Sequence, residues 1–238
     1  MPNSQQLPSH SPHFIEAPHP YADLAQSYLS HLLQGQRHTA SQLILNAVKN
    51  GVGVKEIYLQ VFQRTQYEIG RLWQINQITV AQEHYCTAAT QLIMSQLYPY
   101  IFATEKTGQV LVATCVGGEL HEIGMRMVSD FFEMAGWDTF YLGANTPASS
   151  ILSELKQRRA SVLAISATMT FHLSATTRLI QAVRADSELT AVKIIVGGYC
   201  FNIEPTLWQQ VGADGYALDA QQAIEVADKL INPHLSHD

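Results

Sequence analysis

Val110-Leu-Val-Ala-Thr114 leads through Gly117-Gly118 into Glu119-Leu120-His121-Glu122-Ile123-Gly124. The first five residues carry no charge and read as a strand buried on both faces, the kind found in parallel sheets. The paired glycines mark a turn at its carboxyl end. A Glu-x-His-x-x-Gly pattern then occupies that loop. Open α/β sheets bind their ligands at this edge. A histidine placed there can coordinate a metal, and a carboxylate two residues earlier can orient its ring.

Downstream of this stretch, apolar runs alternate with helical stretches. Strands are expected at 110–114, 138–142, 162–167, 193–197 and 214–217, with helices near 122–135, 148–158, 173–185, 204–210 and 220–231. Five βα units imply a parallel sheet with helices on both faces. Upstream the period is helical. Leu24, Ala25, Tyr28, Leu29, Leu32 and Leu33 form one stripe, and Leu43, Ile44, Ala47 and Val48 a second. Ile57, Val61, Ile69 and Leu72 form a third. A fourth starts at Thr79, where Thr79-Val-Ala-Gln82 makes a capping box, and continues through Ala88, Leu92, Ile93 and Leu97. Four amphipathic helices with short links make a bundle. The change of period divides the chain into a bundle over 21–104 and a sheet domain over 105–238. Residues 1–20, with Pro2, Pro8, Pro12, Pro18 and Pro20, read as a disordered tail whose His10, His13 and His19 are solvated.

With 47% hydrophobic and 14% charged residues, the 238-residue chain has the composition of a well-cored protein. A net charge of −6 and the lack of a Lys/Arg cluster argue against direct nucleic-acid binding. Cys86, Cys115 and Cys200 are odd in number and far apart, so neither a disulfide framework nor a CxxC zinc site is expected. No apolar run approaches membrane-spanning length and no signal peptide is evident, which makes a cytoplasmic location the default.

Two further loops at strand ends accompany the first: Ser166-Ala-Thr168 after Val162-Leu-Ala-Ile165, and Gly197-Gly198 after Ile194-Ile-Val196. In a parallel sheet all three lie on one edge, where small residues let a large ligand approach the backbone. Nucleotide readings fit poorly. There is neither a GxxxxGK[ST] loop nor a GxGxxG after the first strand, and Glu119 would repel a pyrophosphate.

Glu119-x-His121-x-x-Gly124, Ser166-x-Thr168 and Gly197-Gly198 together resemble the cobalamin-binding signature of the methionine-synthase-type B12 domain. That family carries Asp-x-His-x-x-Gly, Ser-x-Leu and Gly-Gly. The resemblance implies a Rossmann-like (flavodoxin-like) fold, with His121 as the lower axial ligand of cobalt. It implies that the dimethylbenzimidazole tail is buried past Ser166, Gly197 and Gly198. Glu119 stands where Asp is more common, and Thr168 where Leu is.

In the helical half, Trp73 is followed after nine residues by Glu83-His84. This trio resembles the CarH family of B12 photoreceptors, whose four-helix bundle caps the upper face of adenosylcobalamin. The resemblance implies that Trp73 packs on the adenosyl group and that Glu83 accepts hydrogen bonds from its ribose. Two departures stand out. The helix-turn-helix domain of those repressors is replaced by the proline-rich tail, and the histidine directly after their motif tryptophan is Gln74, a poor cobalt ligand.

The expectation is therefore a stand-alone adenosylcobalamin-dependent light sensor and not an enzyme. Photolysis of the cobalt–carbon bond would change its conformation, its self-assembly into a homo-oligomer or its binding of a separate effector. A photocobilin, which adds biliverdin, is a variant of that reading that no residue specifies. The alternative is a corrinoid methyl carrier of a methyltransferase system, which would use methylcobalamin and the same His121.

Overall fold

The structure is a computed structural model and describes residues 14–15, 19–102, 105–204 and 206–232. The chain folds as two compact units, Met1–Tyr98 and Pro99–Asp238. The division falls a few residues before the 104/105 boundary read from the sequence. Most of the expected tail lies outside the described residues. Phe14 and Ile15 are described, and both are anchored. Ile15 is buried, Arg64 donates to the Phe14 carbonyl at 3.1 Å, and the Phe14 ring lies 5.2 Å from that of Tyr67.

The first unit is helical: Ala22–Leu33, Arg37–Lys49, a long helix starting at Val54, and Val80–Gln96. The expected box at Thr79 forms. The Gln82 N–H donates to Thr79 Oγ1 at 3.2 Å, and the Thr79 N–H donates to Gln82 Oε1 at 2.9 Å. Two orphan donors of the first turn are thereby satisfied. The buried face of this helix departs from the expected stripe. Cys86, Ala89, Thr90, Ile93 and Met94 are buried, Leu92 is exposed, and Ala88 points outward. Polar Thr90 takes an inner position because the core satisfies it. Its hydroxyl lies 3.0 Å from Tyr28 Oη and bonds the Cys86 carbonyl at 2.9 Å.

The third helix holds a second departure. Val54–Glu56 continues into a π-helical stretch, Ile57–Phe62, before regular turns resume over Gln63–Gln74. The wider turn places Ile57, Tyr58, Val61 and Phe62 inside together.

The second unit is a five-stranded parallel sheet: β1 (Val110–Cys115), β2 (Asp138–Tyr141), β3 (Val162–Ser166), β4 (Lys193–Gly197) and β5 (Gly215–Tyr216). The spatial order is β2-β1-β3-β4-β5. The chain reverses its direction of winding between β1 and β3, which opens a crevice at their carboxyl ends. One face packs Val112, Leu163, Ile165, Ile194 and Val196 against residues of Ala148–Arg158 and Leu173–Ala185, among them Ile151, Leu155, Ile180 and Val183. Helices Ile123–Met134 and Ala220–Ile231 pack together against the sheet. The helix expected at 204–210 is instead two short ones, Tyr199–Ile203 and Leu207–Val211. Glu204 precedes Pro205, and its φ of −128° and ψ of 87° are those of a residue pushed out of the helical region by the following ring.

Candidate functional site

Register brings the three loops level. Cys115 of β1 pairs with Ser166 of β3, and Ser166 pairs with Gly197 of β4. The loops that start there leave one sheet edge at the same height.

Glu119 is the hub of the edge. Its side chain is fully buried, whereas that of His121 is 48% exposed. Carboxylate Oε1 lies 2.5 Å from His121 Nδ1 and accepts the His121 backbone N–H at 2.9 Å. Oε2 accepts the Thr168 backbone N–H at 2.7 Å and lies 2.9 Å from Nδ1 of His172. Burial alone would raise the carboxyl pKa. The bonds from the His121 side chain and backbone and from the Thr168 backbone outweigh it and hold the pKa down to about 2. An ionised Glu119 accepts only, so the facing His121 Nδ1 carries the proton and the ring's lone pair sits on Nε2. That is the tautomer a metal-ligating histidine needs.

The surrounding loops are stapled together. Asn145 Oδ1 accepts the Gly118 N–H at 2.8 Å. Glu122 Oε2 accepts from Tyr141 Oη and from the Ala144 N–H, both at 3.1 Å. Cys115, beneath the loop, has its thiol pKa pushed up to about 12 by burial and then by Glu119 and Glu122, so it stays neutral. Ser166 is buried at the end of β3. Gly198 has a φ of +104°, and a Cβ there would come within 2.3 Å of the Ala167 carbonyl oxygen. A Cβ on Gly124 would meet nothing within 4 Å, so packing within the protein does not demand that glycine. Leu120 and Phe171 are 73% and 69% exposed at the same edge. A ring-oriented imidazole, a cradle open to backbone approach and an apolar rim fit a large planar cofactor with a metal centre.

Glu119, His121 and Thr168 are brought into direct contact, although Thr168 contributes its backbone rather than its side chain. Trp73, Glu83 and His84 belong to the helical unit. Trp73 is in the last turn of Gln63–Gln74 and is 39% exposed. Glu83 Oε2 lies 2.5 Å from His84 Nδ1, and Thr87 Oγ1 lies 3.1 Å from Glu83 Oε1. His172 escaped the sequence reading. It lies six residues beyond Ser166 on a 3-10 turn, Thr170–His172, and only the adjacency of β1 and β3 brings it to Glu119.

Residues 109–225 match a B12-binding domain family, and residues 24–98 match a second B12-binding domain family. The sheet unit is therefore a Rossmann-like B12-binding domain. Among curated relatives, dimethylamine corrinoid protein 2 of Methanosarcina mazei is 30% identical over 61% of this chain and 66% of its own length. Dimethylamine corrinoid protein 1 of the same organism is 31% identical over 54% of this chain and 58% of its own length. The chain thus spans about two thirds or less of these two relatives. A corrinoid protein of Desulfitobacterium hafniense is 23% identical over 84% of this chain and 94% of its own. The solved structure of the Methanosarcina barkeri monomethylamine corrinoid protein superposes with a TM-score of 0.77 at 20% identity, covering 87% of this chain and 98% of that one. At that identity the likeness shows the shared fold.

These relatives correct the functional expectation. They are corrinoid proteins, not photoreceptors, and they overturn the light-sensor reading drawn from Trp73 and Glu83-His84. The photocobilin variant and its biliverdin fall with it. Among the described residues no helix is long and apolar enough to cross a membrane.

Proposed function

We propose that this protein is a corrinoid methyl carrier, handing a methyl group between methyltransferase partners, and not an enzyme by itself. The buried, ionised Glu119 holding Nδ1 of an exposed His121 at 2.5 Å supports the corrinoid, and the likeness to dimethylamine corrinoid proteins is what favours a methyl carrier. Bound cobalamin would supply a cobalt centre that accepts and donates a methyl group. His121 would hold cobalt from below through Nε2, with Glu119 setting the electron donation of the ring. Ser166, Thr168, Gly197 and Gly198 would line the path of the nucleotide tail, and Gly124 would leave room above the loop. Leu120 and Phe171 would cover apolar surface of the macrocycle and keep water from the metal. In the helical unit, Trp73, Glu83 and His84 would be further cobalamin-binding residues. Their hydrogen-bonding capacity makes adenosylcobalamin the cofactor form to compare with methylcobalamin. A cytoplasmic location suits exchange with methyltransferases.

The test loads the full chain with methylcobalamin or adenosylcobalamin in the dark and adds a corrinoid-dependent methyltransferase with a thiol acceptor. The reading expects loss of the methyl group from the loaded protein to outpace that from free methylcobalamin at equal concentration. Equal rates, or failure to retain methylcobalamin on gel filtration, would contradict it.

A further inference from the structure

The loop that carries Glu119 and His121 is held at both ends by one short segment on the β2 side of the sheet. β2 and β3 flank β1 on opposite sides, and β2 runs on into residues 142–145. The Leu142 N–H donates to the Ala113 carbonyl at 2.8 Å, and the Cys115 N–H donates to the Gly143 carbonyl at 3.1 Å, so the pairing with β1 extends past Tyr141. At the start of the β1 loop, Asn145 Oδ1 accepts the Gly118 N–H at 2.8 Å. At its end, Glu122 Oε2 accepts from Tyr141 Oη and from the Ala144 N–H, both at 3.1 Å. Glu122 stands at the N-cap of Ile123–Met134, yet its side chain makes no capping bond to that helix. It crosses to the neighbouring loop instead. Burial first, and Glu122 second, push the Tyr141 phenol pKa up, so its hydroxyl keeps its proton and donates. Gly143 and Asn145 flank Ala144 with φ of +76° and +53°. Asparagine is among the few side-chain-bearing residues that enter this left-handed region readily, and here its amide is also the acceptor.

A loop anchored at one end keeps backbone freedom that displaces every side chain on it. Anchored at Gly118 and again at Glu122, the residues between them, 119–121, have little left. We propose that Glu122, Tyr141 and Asn145 are positioning residues that fix where His121 presents Nε2 to cobalt, acting through the backbone of its loop. This role rests on His121 being the lower ligand. It is separate from that of Glu119: the carboxylate of Glu119 sets the rotation of the imidazole, whereas the bracket from β2 sets the place of the loop that carries it. Loosening either end lets His121 retreat from the metal without touching the ring's own hydrogen bond.

The test loads the full chain with methylcobalamin at one fixed pH and reads the ratio of histidine-ligated to histidine-free cobalamin from its absorbance. Tyr141→Phe and Asn145→Gly are each expected to lower the ratio about 2- to 10-fold, the worth of one hydrogen bond, with the exposed Asn145 at the lower end. Asn145→Asp should return the parental ratio. Glycine and aspartate both enter the left-handed region, so the difference between these two variants isolates the acceptor for the Gly118 N–H from backbone strain. The double variant Tyr141→Phe/Asn145→Gly, loose at both ends, should fall below either single one. A parental ratio in Tyr141→Phe or in Asn145→Gly would overturn the bracket, as would an Asn145→Asp ratio no higher than that of Asn145→Gly. A lowered Tm with an unchanged ratio would mark the contacts as structural alone and overturn the positioning role. If Tyr141→Phe does not fold, the two Asn145 variants decide it. His121→Ala runs beside them: if it keeps the histidine-ligated spectrum, the ligand assignment itself fails, a result separate from the failure of the bracket.

Discussion

Gly198→Ala probes how tightly the sheet edge is built. Gly198 sits at a φ of +104°, and an added Cβ would lie 2.3 Å from the Ala167 carbonyl oxygen, 2.8 Å from its carbon and 3.1 Å from its nitrogen. Two costs combine. Backbone in this region is essentially reserved for glycine and costs a side-chain-bearing residue about 1–3 kcal/mol. The contact with Ala167 cannot be relieved by rotating a side chain, because every atom met is backbone. Ala167 is also pinned: its N–H donates to the Gly197 carbonyl at 3.0 Å, and its carbonyl accepts from Cys200 Sγ at 3.0 Å. Displacing it moves Thr168, whose N–H holds Glu119. We expect a total loss of about 3–5 kcal/mol, the range reserved for named structural faults. For a unit of this size that lowers Tm by roughly 10 °C or more. Thermal unfolding of the full chain followed by circular dichroism measures it. Gly117→Ala is the control, since a Cβ there meets nothing within 4 Å and no positive φ is involved. A Gly198→Ala chain that melts with the parent would refute the close-approach argument.

Two other outcomes follow from the burial of ionisable groups. The Glu119 pKa is depressed from an ordinary 4.5 to about 2, so its ionised form stabilises the fold. That contribution is complete above the ordinary carboxylate range and is lost as pH falls through 2. It amounts to something on the order of 3 kcal/mol. Stability curves of the parent and Glu119→Gln should therefore converge as pH falls from about 4.5 to about 2, and parallel curves would count against it. Cys86, Cys115 and Cys200 are all buried, and burial first of all pushes their thiols up to about 11, 12 and 11. Alkylation of the native chain at pH 8 should run roughly 100-fold slower than for an exposed cysteine, with unfolding releasing all three. Labelling of any one at the exposed rate would contradict its burial.

The sheet half was legible because Leu111–Thr114, Val162–Ile165 and Ile194–Val196 are buried on both faces, which leaves an unbroken run without charge in the sequence. The Thr79 box was legible because its two hydrogen bonds join residues three apart. His172 was not legible, since its partner Glu119 lies 53 residues away and meets it only through strand order. Thr90 was missed for a related reason: its burial depends on Tyr28, on another helix. The π-helical turn at Ile57–Phe62 has no spacing signal of its own. The function misled for a different cause. Trp73, Glu83 and His84 have a spacing that places side chains on helix ends, but spacing does not say which group those side chains receive. His121 with Glu119 carried the cofactor class, and the relatives supplied the kind of protein.

The central claim is that His121 ligates cobalt. It is tested most directly by electron paramagnetic resonance of the full chain loaded with cobalamin reduced to the cobalt(II) state. The account predicts hyperfine splitting from one axial nitrogen, altered when the protein is labelled with 15N-histidine and lost in His121→Ala. Splitting that is indifferent to the label, or that survives His121→Ala, would contradict it.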